Sequence, residues 1–176
     1  MGANPIRVLM IEDNPADARM IEELLKEASA SAAGRASDSR YEVSWKDRLD
    51  EGLDRLKSGG LEVVLLDLTL PDSTGGETFR RVLAAAGHVP VILLTGLQDE
   101  ALGFEAVRQG VQDYLVKGKF DNRELIRALQ YAIERERVEQ ALRQTKEALE
   151  AIVAATPAAV ISLDTQGRVL TWNESA

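Results

Sequence analysis

Short apolar runs recur near residues 6–11, 42–45, 62–67, 90–95 and 112–116. Between them, apolar residues return every three or four positions near 15–28, 47–58, 75–86 and 98–109, and again from 121 onward. A run such as Val63-Val64-Leu65-Leu66, with no polar alternate, predicts a strand covered on both faces. The helical spacing predicts the segments that cover it. Strand and helix in repeated alternation predict an α/β fold with a parallel, doubly wound sheet of five strands. The first helix begins after Asn14-Pro15, where proline suits the first turn, and its buried stripe is Ala18, Ile21, Leu24 and Leu25. Residues 28–40 are small and polar and read as a mobile loop.

The last helical pattern outlasts the sheet it should cover. Leu125, Ile126, Leu129, Ala132 and Ile133 form the covering stripe, and the pattern then changes to Val138, Ala141, Leu142, Thr145, Ala148, Leu149 and Ile152. No Gly or Pro interrupts residues 121–155, which predicts one extended C-terminal helix of roughly 50 Å at 1.5 Å per residue. Val138, Leu142, Thr145, Leu149 and Ile152 keep a heptad spacing, so a coiled-coil seam joining two copies is expected there. Pro157 ends the helix, and Ala158 to Trp172 reads as strand, Asp164-Thr165-Gln166-Gly167 turn, strand. Because a lone hairpin is marginal in water, the chain is expected to stop inside a second domain. The expected organisation is a domain over 1–133, a helical linker over 134–155 and the start of another domain over 156–176.

Composition narrows the partners. With 45% hydrophobic and 28% charged residues, the chain reads as globular, and its net charge of -8 argues against nucleic acid. Cysteine is absent, which removes disulfides, thiolate metal sites and cysteine nucleophiles. No basic-then-apolar leader and no stretch long enough to span a bilayer are present, so a cytoplasmic protein without a membrane segment is expected.

The chemistry lies at the strand ends. Glu12-Asp13 follows the first strand, Asp67 ends the third, Thr95 ends the fourth and Lys117 follows the fifth. In an open parallel sheet the strand C-terminal ends form the ligand-binding edge, so these groups are expected in one pocket. Three clustered carboxylates repel and call for a divalent cation to keep Asp67 anionic. His88, the sole histidine, sits in an Ala-Gly-His-Val-Pro connection and reads as a surface loop residue.

These five strand-end residues, in order within a fivefold βα pattern, resemble the receiver domain of two-component response regulators over residues 6 to about 133. The resemblance implies a flavodoxin-like sheet of order 2-1-3-4-5. It implies Asp67 as phosphoacceptor from a histidine kinase or phosphotransfer protein, with Thr95 and Lys117 holding phosphoryl oxygens. It further implies Mg2+ held by Asp13, Asp67 and the Thr69 backbone carbonyl, by Glu12 mainly through water, and Tyr114 as a switch aromatic coupled to Thr95. Two positions depart from the family: Gly118 follows the lysine where proline is usual, and Glu12 replaces the commoner aspartate. Residues 149–176, with Thr156-Pro157-Ala158 and Thr171-Trp172-Asn173-Glu174, resemble the beginning of a PAS domain. Such a chain implies a larger signalling protein whose output module, histidine kinase or diguanylate cyclase, stays open. This segment itself is read as a regulatory phosphoacceptor, not a turnover enzyme. The alternatives are an aspartyl-phosphate phosphatase of the haloacid dehalogenase type, which wants an acid where Thr69 stands, and a receiver-like scaffold that needs no phosphorylation.

Overall fold

The computed structural model describes residues 4–32, 40–96 and 100–173. Five strands form one parallel sheet: β1 (Ile6–Ile11), β2 (Tyr41–Lys46), β3 (Val63–Asp67), β6 (Val91–Thr95) and β7 (Asp113–Val116), in the order β2-β1-β3-β6-β7. Counting these strands alone gives the expected 2-1-3-4-5. The helices are α1 (Pro15–Ala32), α2 (Leu49–Lys57), α3 (Gly76–Ala86), α4 (Glu100–Arg108) and α5 (Asn122–Ala155). The chain divides into two compact units, residues 1–136 and 137–176.

Cover on both faces explains why the central strands are apolar except near their ends. Leu9, Ile11, Val64, Leu66 and Leu93 pack on one face with Leu49, Phe79, Val82 and Ala106 of α2, α3 and α4. Val8, Met10, Val63, Leu65, Ile92 and Leu94 pack on the other with Ala18, Ile21 and Leu25 of α1 and Leu125, Leu129 and Ile133 of α5. Both faces of each strand are therefore core, and only the strand ends are free to hold polar chemistry.

Two local expectations change. α1 runs to Ala32, beyond the predicted end at 28, because Ala28, Ala30 and Ala32 are strong helix formers, and Ser29 is accommodated with its hydroxyl on the Leu25 carbonyl at 2.9 Å. The helix thus takes in residues 28–32 of the expected loop; residues 33–39 lie outside the described residues, as does the predicted start of α4 at 98. A small antiparallel hairpin, β4 (Thr69–Leu70) with β5 (Ser73–Thr74), follows β3 directly. Two-residue strands have no periodicity to read, which is why it is invisible in the pattern. Its turn residue Asp72 accepts the Leu49 and Asp50 backbone N–H groups at 2.9 and 3.0 Å, capping α2 from a distance in sequence.

In the second unit, the predicted stripe stands open to solvent: Val138, Leu142, Leu149 and Ile152 are exposed, and the Thr145 hydroxyl donates to the Ala141 carbonyl at 2.8 Å. β8 (Ile161–Leu163) and β9 (Val169–Trp172) form an antiparallel hairpin turned at Asp164, whose carboxylate accepts the Gln166 and Arg168 N–H groups. Asn173 is buried and fastens hairpin to helix: its side-chain amide donates toward the carbonyls of Val153, Thr156 and Ala158 and accepts from the Val160 N–H. Among the described residues, no helix is long and apolar enough to cross a membrane.

Candidate functional site

Register brings the predicted residues to one edge. Ile11 pairs with Leu66, Asp67 with Leu94, and Thr95 with Val116, so four strands finish together and the residues after them crowd one rim. The Lys117 N–H donates to the Thr95 carbonyl at 2.8 Å, and the Glu12 N–H to the Lys46 carbonyl at 2.9 Å, which carries sheet pairing into the rim itself.

Glu12, Asp13 and Asp67 each offer a carboxylate oxygen, all within 4.8 Å of one another. Glu12 is fully buried, Asp67 nearly so and Asp13 exposed. Burial, helped by the neighbouring charge of Asp67, pushes the Glu12 carboxyl up to about 7, while Lys117 and the Asn14 N–H oppose the rise. This cluster is an all-oxygen donor set of the kind a hard divalent cation takes, and the three acids fit Mg2+ by chemistry and spacing.

The balancing charge in the structure is Lys117. Its Nζ lies 2.6 Å from Glu12 Oε2, 2.9 Å from Asp67 Oδ2 and 3.2 Å from Asp17 Oδ2. Burial would pull the ammonium down, but its contacts with Glu12 and Asp67 outweigh that and hold it well above its ordinary value. Lys117 therefore stays a cation at any physiological pH. Gly118, at φ +77°, makes the turn that follows, with the Lys119 N–H on the Val116 carbonyl at 3.0 Å. A side chain is disfavoured in that conformation, so glycine suits the position where the family has proline.

The other predicted positions sit around this core. Thr95 is fully buried, and its hydroxyl lies 3.5 Å from the Leu115 carbonyl of the adjacent strand rather than on the carboxylates. Tyr114 is half-buried and packs edge-on against Phe104 of α4, ring centroids 5.3 Å apart. A Cβ at Gly103 would stand 2.9 Å from the Tyr114 ring, so the missing side chain there is what admits the ring. Thr69 opens the β4–β5 hairpin, paired with Thr74, two residues beyond Asp67.

Two residues were missed by sequence reasoning. Asp17 reaches Lys117 from the first turn of α1; the available signal was an acid four residues past Asp13, which by default only complements the helix N-terminus. Trp45, near the end of β2, donates its indole N–H to the Glu12 carbonyl at 2.7 Å, and nothing local marks it.

Comparison with known proteins accords with this geometry. Residues 8–130 match the family described as the response regulator receiver domain. The cell cycle response regulator CtrA of Brucella ovis is 32% identical over 130 residues, 74% of this chain and 51% of that protein. The chain thus spans about half the length of the curated relatives it matches. A response regulator receiver domain protein from Clostridium thermocellum is 26% identical with a TM-score of 0.63, covering 76% of this chain and 98% of that one. The receiver domain of a sensor histidine kinase from Pseudomonas aeruginosa PAO1 is 26% identical with a TM-score of 0.60, covering 74% and 99%, and carries a magnesium ion coordinated in its active site cleft.

Proposed function

The chain belongs to the response regulator receiver domain family, and from that premise we propose that Asp67 accepts a phosphoryl group from the phosphohistidine of a histidine kinase or phosphotransfer protein. The observation that carries this reading is Lys117 Nζ at 2.9 Å from Asp67 Oδ2, inside a cluster of acids that has no structural use for its own repulsion. An Asp67 oxygen attacks phosphorus, the P–N bond breaks with its electron pair going to the imidazole nitrogen, and an acyl phosphate forms on Asp67. Lys117 supplies fixed positive charge where the phosphoryl oxygens crowd, and the Thr95 hydroxyl, released from the Leu115 carbonyl, would hold one of them. Asp13, Asp67 and the Thr69 carbonyl, with Glu12 behind them, would hold Mg2+, which would supply positive charge to offset the clustered acids and the incoming phosphoryl group. The phosphatase alternative lacks its proton donor, since Thr69 holds the place of the second acid. In this reading the donor and the chain meet in the cytoplasm.

Incubation with acetyl phosphate tests the proposal. Intact-mass measurement is expected to show one added phosphoryl group when Mg2+ is present and none after chelation; equal labelling in both would remove the site from the chemistry.

We further propose that the signal leaves through α5. Phosphoryl capture would draw Thr95 inward and let Tyr114 follow, altering the surface at which α5 begins. The exposed heptad positions Val138, Leu142, Thr145, Leu149 and Ile152 would pair two copies, and residues 156–176 would begin a PAS domain leading to a larger output module. Light scattering checks the pairing. A dimer is expected for the wild type and a monomer for Leu142→Asp/Leu149→Asp, and identical masses would mean the output leaves by another surface.

A further inference from the structure

The family motif explains the contacts of Lys117 with Glu12 and Asp67 but not its third contact, Asp17 Oδ2 at 3.2 Å. An ammonium has three N–H donors, and here three carboxylates surround it. Asp17 stands at the third helical position after Asn14, where an acid ordinarily reaches back to the N-cap backbone N–H. That N–H is already taken: Asn14 N donates to Glu12 Oε1 at 3.1 Å, and the Asn14 side chain caps Ala16 N at 2.9 Å. Asp17 is thereby released from capping and faces Lys117 across the rim, its side chain 30% exposed. It is also outside the trio whose oxygens gather within 4.8 Å.

We propose that Asp17 is a positioning residue that keeps Lys117 at the mouth of the site when a divalent cation and a phosphoryl group claim its other two partners. The inference rests on the receiver reading and deepens it. Of the three acids around the ammonium, Glu12 and Asp67 belong to the trio that a cation would occupy, and Asp67 is also the acceptor. Asp17 lies outside that trio, so its Oδ2 stays available to the lysine throughout. Its charge would oppose an incoming phosphoryl group if it stood alone, and with Lys117 between them it fixes the ammonium instead.

The test compares wild type, Asp17→Asn, Asp17→Ala and Asp17→Glu in the full chain carrying Trp172→Phe, so that emission reports Trp45, which is bonded to the Glu12 carbonyl. Mg2+ titration is expected to give the same half-saturation within about twofold for all four. At saturating Mg2+, Asp17→Asn and Asp17→Ala are expected to bind beryllofluoride about tenfold more weakly and to take phosphate from acetyl phosphate about tenfold more slowly, with Asp17→Glu close to wild type. Equal or faster labelling in Asp17→Asn overturns the proposal, as does an Mg2+ affinity that changes as much as the rate. A wild type that takes neither beryllofluoride nor phosphate overturns the receiver reading itself, a result distinguishable because it needs no variant.

Discussion

Asp67→Asn is expected to show no added phosphoryl group after incubation with Mg2+ and acetyl phosphate, under conditions in which wild type is labelled. An amide oxygen is not a competent nucleophile toward phosphorus, and the neighbouring acids are differently placed. Glu12 is fully buried with one oxygen on the Asn14 N–H, and Asp13 is exposed at the outer side of the cluster. The loss should be at least about a hundredfold in rate, the scale for removing the reacting group. The fold should survive, since Asn has the shape of Asp and removes one charge from three that repel. An unfolding midpoint at or above that of wild type, together with absent labelling, identifies a lost nucleophile. Labelling of the variant at the wild-type rate would place the acceptor elsewhere.

Lys117→Met is expected to move two measurements in opposite directions. Phosphoryl transfer should fall by about a hundredfold or more, because the fixed positive charge at the acceptor is gone. Mg2+ should bind more tightly, because a cation no longer has to displace an ammonium 2.6 Å from Glu12 and 2.9 Å from Asp67. Without metal, the variant leaves acids unpaired at the rim. A loss of about 3 kcal/mol is expected, the lower end for breaking a buried pair, since the lysine side chain keeps 18% exposure. The pH dependence follows from Glu12. Its folded value, about 7, lies above the unfolded one, so its contribution is present below the unfolded value and is lost as pH rises through about 7. Removing Lys117 takes away an influence that lowers Glu12, so the variant should lose more stability than wild type between pH 5.5 and 8. Added Mg2+ should restore it. Urea midpoints at the two pH values, with and without Mg2+, check all three signs; a variant with unchanged Mg2+ affinity would mean the ammonium does not compete for the acids.

How much of this was readable beforehand differs from residue to residue for a physical reason. The strands of the main sheet, the faces of their helices and the five rim residues follow from hydrophobic period and from where each apolar run stops, and both are local properties. Leu65 and Leu66 face opposite cores simply because they are adjacent on a strand. The unbroken run from Asn122 to Ala155 likewise follows from the absence of Gly and Pro.

Other features depend on partners distant in sequence. Lys117 meets Asp67 across 50 positions and Asp17 across 100, and the Trp45 indole finds the Glu12 carbonyl across 33. Asp17 read alone is an acid in a helix's first turn, and Trp45 is one more aromatic in a strand. The β4–β5 hairpin is too short for a period, and the extension of α1 to Ala32 runs through small residues that form no apolar stripe. Which groups stand at the ends of the strands and which residues form the two cores are consequences of period and strand length, and both are readable locally. Which carboxylates share the ammonium is set instead by sheet register and by how α1 packs on the sheet, which fix distances that no local pattern encodes.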